Sequence, residues 1–217
     1  PGPPNVVLKS VGYNTERALV VTQDNLEQLR ARANGHGIQT HADVFVTDVT
    51  GLSLMVTPAD CTVSVLFGRT KAGKGVLGMA HAGWRETIEL VPKTVIQEMI
   101  NLGCGAEDLL VSIAPSIAQD NFWVKKTDMS ERERTTWGSR ARNDTNEKDG
   151  KVVKLNVLAR VIDIMIQQGV SPSNVLAYAV DTFEASIRSV SFSHRASVVK
   201  SNPILDGRFA VAAAIVD

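Results

Sequence analysis

Along the chain, short β-branched runs alternate with stretches of helical period, and glycine, proline and polar clusters separate them. The run 18–22 (ALVVT) predicts a strand. In 24–33 (DNLEQLRARA), Leu26, Leu29 and Ala33 share a helical face, with Asp24 as N-cap and Gly35 as the stop. Runs 44–47 and 52–57 predict strands about a turn at Thr50-Gly51. Runs 63–67 and 76–80 predict two more, reversed by the connector RTKAGKG. After Trp84 the period becomes 3.6: Ile88, Val91, Val95, Met99 and Leu102 line one face, and Gly103 ends the helix. A strand follows at 109–114, and an amphipathic helix at 155–168 is stopped by Gly169. Strands at 175–180 and 209–216 complete the pattern. The most polar stretch is 120–150, and its segment 130–151 predicts a surface insertion or mobile loop. No repeat or dividing linker interrupts the order, which predicts one mixed α/β (α+β) domain over residues 1–217.

Composition narrows the function. Lys+Arg and Asp+Glu are 23 each, so the chain lacks the broad positive surface that nucleic-acid binding requires. No apolar run reaches the roughly 18–20 residues that span a bilayer, so a membrane is not an expected partner. The opening PGPPNVVLKS lacks the pattern of a signal peptide. Cys61 and Cys104 are too few for a disulfide framework, and free thiols suit a reducing cytoplasm, the expected location.

Reactive side chains gather at expected strand ends in three segments: Pro58-Ala59-Asp60-Cys61, His81-Ala82-Gly83-Trp84-Arg85 and Phe192-Ser193-His194-Arg195. The hairpin reversal brings Cys61 and His81 toward each other. Such a pair is half of a tetrahedral zinc site, an activated nucleophile with its base, or a structural cysteine beside a packed histidine. Gly83 allows close backbone approach before the helix, where free N–H groups favour phosphate or carboxylate, and Arg85 adds a guanidinium fork. His194 and Arg195 are candidates for an anionic or heterocyclic ligand. Cys104 reads as structural, and His36 and His41 as solvated or packing residues.

The order of three segments, ADVFVTD (42–48), LSLMVTPADC (52–61) and GVLGMAHAGWR (75–85), resembles the laccase-domain family, also called YfiH-like or multicopper polyphenol oxidase-like proteins. IAPSIAQDNFWV (113–124), KLNVLARVIDIMIQQGV (154–170), FSHR (192–195) and GRFA (207–210) are similar to its later segments. The resemblance implies a YfiH-like, cysteine-hydrolase-like fold of mixed sheets with flanking helices. It also implies a zinc site, claimed as copper in some members, with a histidine, the ADC cysteine and the HAGWR histidine as ligands. The last two carry over to Cys61 and His81. The first does not: SVGYNTERALVV (10–21) puts Asn14 at its place, so zinc binding is expected to be weak or absent and copper is not expected. Glu86 stands where the family has glycine, Asp120-Asn121 stands for its cysteine pair, and an N-terminal section appears shortened.

By resemblance, the expected activity is on purine nucleosides: phosphorolysis of adenosine or inosine, deamination of adenosine, or both. Cys61, His81 and Asp60 would be catalytic, Asp60 as a proton-transfer acid or as the residue orienting His81. Gly83, Arg85, His194 and Arg195 would hold substrate or phosphate. The alternatives are a metal-independent cysteine hydrolase or deamidase using Cys61 and His81, and a non-catalytic nucleoside- or partner-binding protein. Copper oxidation of phenols ranks last, since its larger His-rich ligand set exceeds what four histidines supply.

Overall fold

The computed structural model describes residues 7–12, 18–31, 37–88, 90–144 and 152–216. The first part of the chain forms β1 (Val7–Gly12), β2 (Ala18–Val21), α1 (Gln23–Arg30), β3 (Ile38–His41), β4 (Val44–Thr47) and β5 (Ser53–Val56). The hairpin β6 (Thr62–Arg69) and β7 (Gly75–Ala82) leads into α2 (Trp84–Ile88), α3 (Val91–Asn101) and β8 (Leu110–Ile113). Next come β9 (Trp123–Lys125), α4 (Glu131–Trp137), β10 (Ala141–Asn143), β11 (Val152–Leu155) and α5 (Val157–Gln167). The last elements are β12 (Val175–Ala177), α6 (Thr182–Ile187), α7 (His194–Lys200) and β13 (Val211–Ala214).

A six-stranded mixed sheet, ordered β12-β8-β6-β7-β4-β2, is the central layer. Its inner strands β4 and β7, and most of β6, are buried on both faces, so they read as nearly continuous apolar runs. Val44 and Val46 of β4 join Leu66, Val76 and Ala80 beneath α2, α3 and α5. Phe45, between them, points the other way with Val63, Leu77 and Met79, toward Leu8, Ile38 and Leu54 of a four-stranded sheet ordered β13-β5-β1-β3. α1 adds Leu26 and Leu29 to that second core. The close fit of α3 depends on Gly78 of β7, where an added Cβ would lie 2.7 Å from Met99 Sδ and 2.9 Å from a methyl of Val95.

The structure departs from the sequence pattern in three places. The long helix expected through Ile88 and Leu102 is two helices, because Leu90 adopts a left-handed conformation (φ 67°) and Pro92 opens α3. The polar stretch 120–144 is built rather than loose. It contributes β9 and β10 to a third sheet, β10-β11-β9, forms α4 between them, and buries Met129 and Trp137 in the helical core. FSHR does not end a strand: Ser193 accepts from the Ala196 N–H at 3.0 Å and caps α7.

Candidate functional site

Register places the chemistry at one end of the central sheet. β6 and β7 pair antiparallel with Val63 opposite His81 and Thr62 opposite Ala82, so Cys61, just before β6, lies near His81. Asp43 immediately precedes β4, the other neighbour of β7, and its carbonyl accepts from the His81 N–H at 2.8 Å. The Asp43 carboxylate also meets His81 Nδ1, at 3.0 Å, with both residues buried. With Nδ1 occupied, Nε2 is the ring nitrogen left to meet Cys61, and the two side chains are hydrogen-bonded. Burial disfavours a charged imidazole here, but the Asp43 and Cys61 hydrogen bonds outweigh it and push the His81 pKa up to about 10. The result is a carboxylate–imidazole–thiol chain.

Gly83 makes the close packing beside that chain feasible. An added Cβ would stand 3.3 Å from Cys61 Sγ and 2.5 Å from Glu86 Oε2. The buried Glu86 carboxylate has its pKa raised by burial, while hydrogen bonds from the backbone N–H groups of residues 86 and 83 partly oppose the rise. The backbone donors expected to cradle an anion are therefore engaged by the chain's own carboxylate. Glu86 Oε1 is buried without a hydrogen-bond partner among the described residues.

Asp60 makes two hydrogen bonds to the C-terminal part of the chain. Its Oδ1 accepts from Thr182 Oγ1 at 2.8 Å and its Oδ2 from the Arg195 N–H at 2.8 Å. It ties the segment before Cys61 to α6 and α7, and Asp43 is the residue that orients His81. That placement puts Arg195 at the pocket, its guanidinium 4.5 Å from the centre of the Trp123 ring and 5.1 Å from that of Phe122. His194, largely exposed, pairs with Asp206 at 3.2 Å, and Arg208 joins the same carboxylate at 2.9 Å.

Cys61, His81, Asp60, Gly83, Arg85, His194 and Arg195 all line one pocket of about 280 Å³. Sequence reasoning missed Asp43 and the ring of Phe122. The signal for Asp43 was an acid immediately before a wholly apolar strand, where a carboxylate needs a buried partner. Cys104, buried near Thr70, is remote from the pocket lining. His41, exposed at the end of β3, does not line it either. Asn14 and His36 lie outside the described residues.

Zinc sites need at least three protein donors around the ion. Cys61 and His81 supply two, and no group of three His, Cys, Asp or Glu side chains converges among the described residues. A metal would also have to displace the proton that Asp43 and Cys61 hold on His81. The described donor set does not complete a zinc centre.

The fold and site thus define an α/β protein with a Cys–His–Asp chain at the edge of its central sheet. The chain belongs to the multi-copper polyphenol oxidoreductase laccase family, whose profile matches residues 5–215. It is 35% identical over 82 residues to adenosine deaminase RL5 from an unknown prokaryotic organism, a match covering 38% of this chain and 30% of that protein. It is 33% identical over 98 residues to a purine nucleoside phosphorylase of Deinococcus radiodurans, covering 41% of this chain and 38% of the relative. The matched stretches therefore span well under half of these relatives' lengths. The YfiH protein of Bacillus licheniformis has the same fold, with a TM-score of 0.73 at 17% identity over 96% of this chain and 74% of that one.

Proposed function

We propose that the protein acts on purine nucleosides, and that it deaminates a 6-aminopurine nucleoside with Cys61 as nucleophile and His81 as proton carrier. The observation that carries this reading is the Asp43–His81–Cys61 chain beside a pocket near the lower end of small-molecule site volumes. A charged imidazole paired with a thiolate is an activated nucleophile. Cys61 Sγ adds to C6 of the purine while His81 gives its proton to the amine, which leaves as ammonia. Water then adds at the same carbon, His81 takes its proton, the C–S bond breaks and the 6-oxopurine nucleoside departs. Asp43 holds the ring in one orientation throughout. The Glu86 carboxylate, packed against Gly83 at the helix start, favours water over phosphate as the second reactant.

Phosphorolysis is the second reading. The relatives named purine nucleoside phosphorylase and the Arg85 and Arg195 guanidiniums at the pocket favour it. Product analysis separates the two. Adenosine incubated with the protein should give inosine and ammonia, with loss of turnover in His81→Gln. Adenine and a pentose phosphate, formed only when phosphate is added, would overturn the deaminase reading in favour of phosphorolysis.

A further inference from the structure

We propose that the nucleoside bound in this pocket carries an esterified phosphate, held on an adjoining shelf by Arg85 and Arg195; the inference rests on the nucleoside reading above. The shelf has a volume of about 190 Å³ and is lined by Trp84, Arg85, Trp123, Lys125, Asp128 and Arg195, among others. It shares Trp84, Arg85 and Arg195 with the Cys61 pocket, so one ligand can occupy both.

The two guanidiniums are stacked on rings and not ion-paired, although the Glu133 carboxylate acts on Arg85 and that of Asp60 on Arg195 at longer range. Arg85 lies 4.1 Å from the centre of the Trp84 ring, and Arg195 lies 4.5 Å from that of Trp123. Stacking fixes the plane of a guanidinium and leaves its N–H edge free for an oxyanion. Neither guanidinium forms an ion pair or side-chain hydrogen bond among the described residues, in contrast to Arg140 with Asp163 and Arg208 with Asp206. Arg195 is half-buried, and that burial draws its pKa down while the Asp60 carboxylate partly opposes the shift. A partly desolvated cation without a paired anion is costly, and a phosphate relieves that cost. Lys125 adds positive charge to the shelf and Asp128 is its single carboxylate, so the balance favours an anion.

The shelf stands apart from the deamination centre. In the nucleoside reading the reacting carbon is C6 of the base, beside Cys61 and His81. Neither residue lines the shelf. An anion there is clear of C6 and is placed as the ligand's tail.

Calorimetric titration of the intact chain with adenosine, adenosine 5′-monophosphate and inorganic phosphate tests this, on wild type, Arg85→Met and Arg195→Met. The monophosphate should bind at least about tenfold more tightly than adenosine, as expected for charge-assisted contacts from two guanidiniums. That ratio should fall toward one in both variants. Arg85 is exposed, so its variant keeps the test decisive even if Arg195→Met fails to fold. Equal binding of the two ligands, or a ratio unchanged in Arg85→Met, overturns the phosphate shelf and leaves the nucleoside reading standing. Adenosine binding tightened by free phosphate, with no preference for the monophosphate, overturns it too and assigns the anion to a co-reactant. Binding of none of the three overturns both inferences.

Discussion

A buried imidazole between a carboxylate and a thiol is held in its charged form by both neighbours. The His81 pKa of about 10 lies above the ordinary 6.5, so the contribution of this contact to stability is full below about 6.5 and is lost as pH climbs toward 10. Cys61 is part-exposed and hydrogen-bonded to the charged imidazole, whereas burial pushes the Cys104 thiol up. Alkylation by iodoacetamide followed by peptide mapping should label Cys61 well ahead of Cys104. His81→Gln and Asp43→Asn should slow Cys61 labelling by about tenfold, because a thiol's reactivity depends on its cationic neighbour. Labelling rates indifferent to both substitutions would show that the imidazole does not activate the thiol. Glu86 permits a second residue-level prediction. Glu86→Gly removes the carboxylate that takes the N–H groups of residues 83 and 86, and turnover should become sensitive to added phosphate. A rate independent of phosphate in that variant would mean the freed donors do not bind it. Cys61 and His81 were legible because short motifs carry them. Asp43 was less so, because one acid among several near strand ends has no pattern until register puts it beside β7.

Elements with strong period or β-branched runs were legible, and those held by tertiary contacts were not. α3 and α5 match their apolar stripes, and β6 and β7 match the hairpin signal. β1 lies inside the four-stranded sheet, yet VLKSVG mixes Lys and Ser into a short run, and only pairing with β3 and β5 makes it a strand. The polar 120–144 stretch concealed its buried Met129 and Trp137 among charges. Part of its order comes from Arg140, which reaches across to α5 and grips Asp163 through two hydrogen bonds of 2.6 and 2.7 Å. That hydrogen bonding holds the Asp163 carboxyl below its ordinary range. A depressed carboxylate stabilises the fold above its unfolded pKa and loses that contribution as pH falls through the folded one. Asp163→Asn should therefore cost up to about 1 kcal/mol at neutral pH, the range of part-exposed pairs, and progressively less in acid. Urea unfolding of both proteins across that pH range measures it, and a cost that persists in strong acid would contradict the ion-pair assignment.

At the scale of the whole molecule, family membership and fold were legible from the order of motifs, since that order follows how strands assemble around one sheet end. The metal state belongs to this scale as well, because a zinc site draws ligands from distant segments. With two donors at the pocket and a proton to displace from His81, the purified protein should hold well under one equivalent of zinc by elemental analysis. Near-stoichiometric zinc would require a further ligand from outside the described residues, His36 among them. The most direct measurement of the central claim is adenosine turnover in phosphate-free buffer containing a chelator, for wild type and Cys61→Ala. Wild type should release inosine and ammonia under these conditions, and Cys61→Ala should lose at least about a hundredfold in rate, as removal of an attacking group does. Turnover that survives in Cys61→Ala, or that appears only when metal or phosphate is restored, would contradict it.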